Sequence, residues 1–325
     1  EHGKEYGGAD RRSMGHEPRA ADGLASQKRY LCLRRRHDHP LAPGEVQASL
    51  PPLLTKIPVL ADIPLAPKSL DGELSLAVRE NSNDMMEEAF RGLRTNLRFV
   101  LSEKENVIAC TSCIPGEGKT FISTNLAMSL ALLGKRVIIV GLDIRKPRLV
   151  KLFGLSSDHR GITTFLSSNS GDFQDLDKQI HHAVLNPNLD VLPAGVIPPN
   201  PGELISREQL DHAIALLREH YDYVIVDTPP VGLVSDTLSA ARVADMTIMV
   251  CRADYSPRNN FQLINALHHD NKMPKITLVL NGIDLKKRKY GYYYGYGKYG
   301  KYGHYGHYGH YGVYGHYGSH SSHDG

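Results

Sequence analysis

Between residues 84 and 283 the chain switches repeatedly between two hydrophobic periods. Short, mostly apolar runs at 106–111, 137–140, 189–192, 223–226, 246–250 and 276–280 carry β-branched residues, as strands buried on both faces require. Stretches of helical spacing lie between them. One covers 121–133, and another, over 201–219, opens on the stop-and-start signal Pro198-Pro199-Asn200-Pro201-Gly202-Glu203-Leu204. A third begins at Asp84 and puts Phe90, Leu93 and Leu97 on one apolar stripe, with Glu88, Arg91 and Arg94 at three-residue steps beside it. Strands and helices in alternation predict an α/β fold. The expected form is a doubly wound, mostly parallel sheet whose ligands bind outside the carboxyl ends of the strands.

Outside this region the pattern lapses. Residues 1–50 combine charge, Gly and Pro without periodicity and are left unassigned, as a disordered segment or the start of a fragment. Residues 51–83 read as a Pro-interrupted linker, extended around Ile57-Pro58-Val59-Leu60-Ala61-Asp62-Ile63-Pro64. The folded domain takes 84–285 and a tail takes 286–325. At 325 residues and 41% apolar the chain can bury a proper core. No apolar run approaches about 18 residues, so no membrane-spanning helix is expected. A first residue Glu1 in place of Met is read as the start of a piece of a longer protein. Cys32, Cys110, Cys113 and Cys251 form no disulfide framework, which fits a reducing compartment. The C-x-x-C pair of Cys110 and Cys113 reads as the end of a buried strand, since a zinc site would need two more ligands.

Candidate chemistry gathers at three predicted strand ends. After the run at 106–111 comes Ser112-Cys113-Ile114-Pro115-Gly116-Glu117-Gly118-Lys119-Thr120, a loop that precedes a helix. In such a turn, opened by Pro115, the backbone N–H groups from Gly116 to Phe121 and the helix N-terminus face phosphates, Lys119 adds a cation, and the Thr120 hydroxyl ligates Mg²⁺. Cys113 stands where the common pattern has its first Gly. The second strand runs into Val140-Gly141-Leu142-Asp143-Ile144-Arg145, and the third into Val226-Asp227-Thr228-Pro229. Asp227 is the natural Walker B acid, holding Mg²⁺ through its water shell. Near the last strand's end, Asn281 before Gly282 is either a ligand contact or the start of a tight turn. Arg252 and Asp254 carry the same alternatives. The Glu88, Arg91 and Arg94 face is either a solvated set of ion pairs or a docking face for a neighbouring subunit.

After Asp284 the composition changes abruptly. Twelve of the seventeen tyrosines fall in this tail: Tyr290, Tyr292, Tyr293, Tyr294, Tyr296, Tyr299, Tyr302, Tyr305, Tyr308, Tyr311, Tyr314 and Tyr317. With Gly at nearly every third place and few aliphatic side chains, the segment cannot offset its chain entropy and is expected to be disordered. Behind an ATP site, a flexible string of phenols reads as a string of phosphoryl acceptors. The tail's six Lys or Arg and one acid give it +5, within a chain of net +3. The core has no basic stripe, and no nucleic-acid partner is expected.

Together these residues resemble the catalytic domain of bacterial tyrosine kinases, the CpsD/CapB family and its fused polysaccharide co-polymerase relatives. The resemblance covers about four fifths of the chain. It rests on the P-loop at 112–120, the Walker A-prime segment with Asp143 and Arg145, Asp227, the E-x-x-R-x-x-R spacing of Glu88, Arg91 and Arg94, and the tyrosine cluster. It implies a P-loop fold of the MinD/ParA-like group with ATP and Mg²⁺ as cofactors. Lys119, Asp143 and Arg145 would be catalytic, Thr120, Asp143 and Asp227 would hold the metal, and Asn281 would contact the base. It also implies autophosphorylation in trans within a homo-oligomeric ring, a transmembrane activator domain upstream or on a separate chain, and a cognate tyrosine phosphatase. The place of action would be the cytoplasmic face of the inner membrane, in capsule or exopolysaccharide export. ParA/MinD-like ATPases are the alternative, but their P-loop carries a lysine after its first Gly where this chain has Ile114. A nucleotide-gated assembly module with little kinase activity is a third reading. One departure stands out: the family's D-x-D-x-R has Gly141 at its first acid, which leaves Asp143 alone.

Overall fold

A computed structural model describes residues 54–66, 76–80, 84–156, 159–168, 170–233 and 236–285. Residues 1–50 and every candidate acceptor from Tyr290 to Tyr317 lie outside the described residues. Seven strands form one sheet: β1 (Val59–Pro64), β2 (Val107–Ser112), β3 (Val137–Gly141), β4 (Leu189–Leu192), β5 (Tyr223–Asp227), β6 (Met246–Arg252) and β7 (Ile276–Ile283). All neighbours pair in parallel, in the order β1-β7-β6-β2-β5-β3-β4. The predicted α/β sheet is the observed one.

Alternate strand residues feed two cores, as a doubly wound sheet demands. Ile108, Cys110, Ile139, Ile225 and Ile248 point to one face. There they meet α1 (Met85–Leu97) and α2 (Lys119–Ala131). Val107, Ala109, Ile138, Val140 and Val224 point to the other face. That face is covered by α4 (Ile162–Ser167), α6 (Pro201–Ser206) and α7 (Glu208–His220). Between them in the chain lie the short α3 (Leu149–Leu152) and α5 (Phe173–Asp177); α8 (Asp236–Ala241) and α9 (Asn260–His269) follow. Asp84 caps α1 by accepting the Met86 and Glu87 N–H groups. In α2 every residue except Phe121 is buried, so that helix is fixed by packing on all sides.

Two elements differ from the sequence reading. Val59–Pro64, placed in the linker, is an edge strand whose Leu60 and Ile63 are buried. Pro58 and Pro64 bracket it, which an edge tolerates because the missing N–H groups need no partner there. Leu278 N–H to the Pro58 carbonyl (2.9 Å) and Leu65 N–H to the Ile283 carbonyl (3.0 Å) fasten it to β7. The single helix expected over 201–219 is broken at Arg207, which is extended (φ −71°, ψ 151°). Arg242 stabilises the break, donating to the carbonyls of Ile205 (3.0 Å) and Arg207 (2.9 Å) and pairing with Asp211 (2.6 Å).

Register sets up the site. Asp227, at the carboxyl end of β5, lies directly across from Cys110 on β2 and from Gly141 on β3. The loop leaving β2 and the segment leaving β3 therefore flank it.

Candidate functional site

Lys119 opens α2, and its ammonium is the hub of the site. It lies 2.9 Å from Asp143 Oδ2, 3.6 Å from Asp227 Oδ1 and 3.4 Å from Thr120 Oγ1. Thr120 donates its hydroxyl to Asp227 Oδ2 at 2.9 Å. Asp143 accepts the Lys146 N–H on its other oxygen, at 3.2 Å, which fixes the carboxylate where β3 ends. Burial pushes the Asp227 carboxyl above the usual range, against the opposing pull of Lys119. The three strand ends expected to converge do converge.

Asp227 Oδ1 is buried without a hydrogen-bond partner. A buried carboxylate oxygen in that condition is costly unless something else approaches it. With the Thr120 hydroxyl and Asp143 nearby, the donors are hard oxygens, and they fit Mg²⁺. Among the described residues no cluster of three or more His, Cys, Asp or Glu forms a self-sufficient metal site. The fit is thus to a magnesium ion that shares its shell with phosphates, as Mg²⁺ in nucleotide sites does.

The loop itself is held from its other side. Gly116 and Gly118 adopt φ of 88° and 98°, in the left-handed region that glycine favours, whereas Cys113 does not. That is why a side chain is accommodated at the first P-loop position. Buried there, the Cys113 thiol is pushed up to about 12. Cys110, Cys113 and Cys251 are free and buried, in keeping with a structural role. A side chain at Gly118 would strike Asn281, whose amide would lie 2.1 Å from the added Cβ.

Glu117 turns inward. Its Oε2 accepts the Ile114 N–H at 2.9 Å and its Oε1 the Ser256 hydroxyl, while burial raises its carboxyl above the usual range. Asn281 donates to the Glu117 carbonyl (2.9 Å), Tyr255 to that of Pro115 (2.9 Å) and Arg252 to that of Gly116 (3.1 Å). Asn281 and Gly282 lie within β7, paired to β6 through Arg252. The tight-turn alternative is therefore corrected. Parallel pairing continues through Asn281, and the φ of +73° at Gly282 is taken up inside the strand. Phe121 turns its ring edge-on to Phe90 of α1 (6.0 Å), so what it offers a phosphate is its backbone N–H.

Arg145 lies further out, half-exposed, with Nε 2.7 Å from the buried carboxylate of Asp236 on α8. Asp236 was not singled out in the sequence, and neither were Tyr255 and Ser256. An acid nine residues past Asp227 has no motif to mark it. A small cleft lined by Gly141, Asp143, Leu149, Ala194 and Asp227 opens beside the acids. A Cβ at Gly141 would come within 3.1 Å of Leu149 Cδ1 and 3.3 Å of the Ala194 nitrogen. Leu149 and the 193–194 backbone fill part of the room that a first A-prime acid would need. On α1, Arg91 pairs with Glu87 (2.7 Å) and Glu88 (3.4 Å), the ion-pair alternative, whereas Arg94 reaches across to α2.

A parallel sheet whose central strand ends in a lysine- and threonine-bearing phosphate loop, with an acid on each of two neighbouring strand ends, defines a P-loop nucleotide-binding domain. Consistent with this, the family described as AAA domain matches residues 105–278. The tyrosine-protein kinase CpsD of Streptococcus agalactiae is 34% identical over 213 residues, 65% of this chain and 90% of its own length. The tyrosine-protein kinase etk of Escherichia coli K12 is 33% identical over 216 residues, and the match takes in only 29% of its length. The solved kinase domain of the Escherichia coli tyrosine kinase ETK superposes with a TM-score of 0.62 at 30% identity, covering 74% of this chain and 95% of that domain. The BceF tyrosine kinase domain gives 0.61 at 27% identity, with 70% and 93% covered. Within the P-loop class, the chain belongs to the bacterial tyrosine kinases.

Proposed function

We propose that this protein is an ATP-dependent tyrosine autokinase that phosphorylates its own C-terminal tyrosine cluster in trans and thereby regulates capsule or exopolysaccharide synthesis and export. The observation that carries the reading is the Lys119 ammonium held between Asp143 and Asp227 beside the Thr120 hydroxyl. Phosphoryl transfer asks chiefly for positioning and neutralisation of charge. Lys119 supplies the cation for the departing phosphate oxygens, and the backbone N–H groups around Gly116 and Gly118 cradle the rest. Thr120, Asp227 and Asp143 would hold Mg²⁺, whose contribution when bound is charge neutralisation across the transferred group. Asp143 then takes the phenol proton as the new P–O bond forms and the bond to the leaving oxygen breaks. With Gly141 in place of the first acid, no second A-prime carboxylate competes for that role.

Glu88 and Arg91 are proposed to join neighbouring subunits in a ring, and forty tail residues span about 35 Å as a Gly-rich coil, enough to reach an adjacent site. Each phosphate adds roughly −1.5 to −2 charges, so about three of them cancel the tail's +5 and loosen assembly. Further partners in this reading are a transmembrane activator and a tyrosine phosphatase, at the cytoplasmic face of the inner membrane. What supports the membrane link is the tyrosine-kinase family itself, since among the described residues no helix is long and apolar enough to cross a bilayer. The trans reaction is tested by mixing an active chain truncated after residue 285 with full-length Lys119→Met protein. Label on the full-length chain is the expected result; an unlabelled full-length chain, with separately incubated intact active protein labelling itself at a rate independent of dilution, would mean reaction in cis.

A further inference from the structure

The two arginines of the α1 face sit in different places. Arg91 lies over its own helix with Glu87 and Glu88. Arg94 leaves α1 and donates from Nη1 to the Ser129 carbonyl at 2.6 Å and to the Ser129 hydroxyl at 3.2 Å. That carbonyl belongs to the last turn of α2, where helix oxygens run out of N–H partners. Leu132 N–H bonds the Met128 carbonyl, Leu133 N–H that of Leu130 and Gly134 N–H that of Ala131. The backbone thus skips Ser129, and Arg94 takes its place. A cation there also meets the negative end of the helix dipole.

The helix so closed is the one that starts with Lys119 and Thr120. The same side of the molecule grips it along its length. Phe90 packs edge-on to Phe121, and Asn125 accepts the Ala77 N–H (2.7 Å) and the Val78 N–H (2.9 Å) while donating to the Phe121 carbonyl (2.8 Å). We propose that Arg94 is the C-terminal cap of the P-loop helix and a positioning residue for the nucleotide site of its own subunit. The E-x-x-R-x-x-R spacing then divides, with Glu88 and Arg91 left for a neighbour and Arg94 serving inward. The inference rests on the reading that this site binds Mg-ATP. It gives α1 a direct hold on the helix that presents Lys119, so that anything bound to α1 acts on a strut already joined to the phosphate loop.

The test uses the full chain and four variants: Arg91→Ala, Arg94→Ala, Arg94→Lys and Ser129→Ala. Two readouts are kept apart, the Mg-ATP dissociation constant at a dilution where every form is monomeric, and self-association by sedimentation velocity at high concentration. Arg94→Ala is expected to weaken nucleotide binding by about fivefold, the equivalent of one helix-end charge contact, and to speed amide exchange at 130–135. Arg94→Lys should recover most of the affinity, and Ser129→Ala, which keeps the carbonyl, should leave it within about twofold. Arg91→Ala should lower self-association and spare the affinity. If Arg94→Ala loses association as Arg91→Ala does while its affinity and exchange match the wild type, the inward role is wrong. Should the alanine variant fail to fold, Arg94→Gln, which keeps the stem and loses the charge, is read in its place: wild-type affinity and exchange with lost association would overturn the proposal, and weakened affinity with kept association would support it. Wild-type protein that fails to bind Mg-ATP would instead remove the functional reading beneath it.

Discussion

The phosphate loop has two walls, and they are built from different interactions. On the sheet side, a lysine, two acids and a hydroxyl meet beside the strand ends: Lys119, Asp143, Asp227 and Thr120. On the side of β6 and β7 the loop's own carbonyls are gripped by Asn281, Tyr255 and Arg252, and its buried acid by Ser256. The first wall places charge where a phosphoryl group would pass. The second shapes the backbone that cradles it. Loss of charge from the first wall should therefore cost turnover, whereas loosening of the second should cost affinity and stability.

The largest break is expected at Lys119. Lys119→Met should lower phosphotyrosine formation by about a thousandfold, on the scale of losing a preorganised electrostatic donor, while circular dichroism shows the fold kept. Asp143→Asn comes next, with a loss of at least about a hundredfold in turnover. Wild-type turnover from that variant would leave the proton with another group. Ser256→Ala probes the other wall. It takes a donor from Glu117 and an acceptor from the Arg252 N–H, which bonds Ser256 Oγ at 2.7 Å. A KM for ATP raised about tenfold with turnover within about threefold is the expected steady-state result, the size of one lost hydrogen bond. A collapse of turnover at constant KM would erase the contrast between the walls.

The smallest effect is one of pH. Burial holds the Glu117 carboxyl above its ordinary value, so the folded protein keeps this proton more tightly than the unfolded chain does. The stability this contributes is fully present below the unfolded value near 4.5 and is lost as pH rises through the folded value. Glu117→Gln removes that dependence. The melting temperature of the variant relative to wild type should therefore climb as pH is raised from about 4.5 toward 8, and a flat difference would show that the carboxyl is not held protonated.

The two walls also differ in how far the sequence discloses them. Lys119, Asp143 and Asp227 were legible because charge at the end of an apolar β-branched run has few structural uses, and parallel strands bring such ends together. Ser256, Tyr255 and Asp236 were not, since a hydroxyl in an irregular segment or an acid at the start of a short helix carries no period and reaches its partner only through topology. Asn281 was found, but its dipeptide with Gly282 also suggested a turn, and only the register with Arg252 places it inside β7. The edge strand over Val59–Pro64 was hidden by its flanking prolines, which in a central strand would break the ladder and at an edge do not. Arg94 shows the same limit. Helical spacing put it beside Arg91, and only the packing of α1 on α2 separates the two.

The central claim is that the acidic and cationic wall transfers phosphate to tyrosine. Its most direct test is mass-spectrometric mapping of phosphosites after the purified chain is incubated with Mg-ATP, with Lys119→Met protein as control. The account predicts phosphotyrosine on several positions between Tyr290 and Tyr317 in the wild type and none in the control. ATP turnover with no phosphotyrosine anywhere in the chain would contradict it and point to an ATPase built on the same loop.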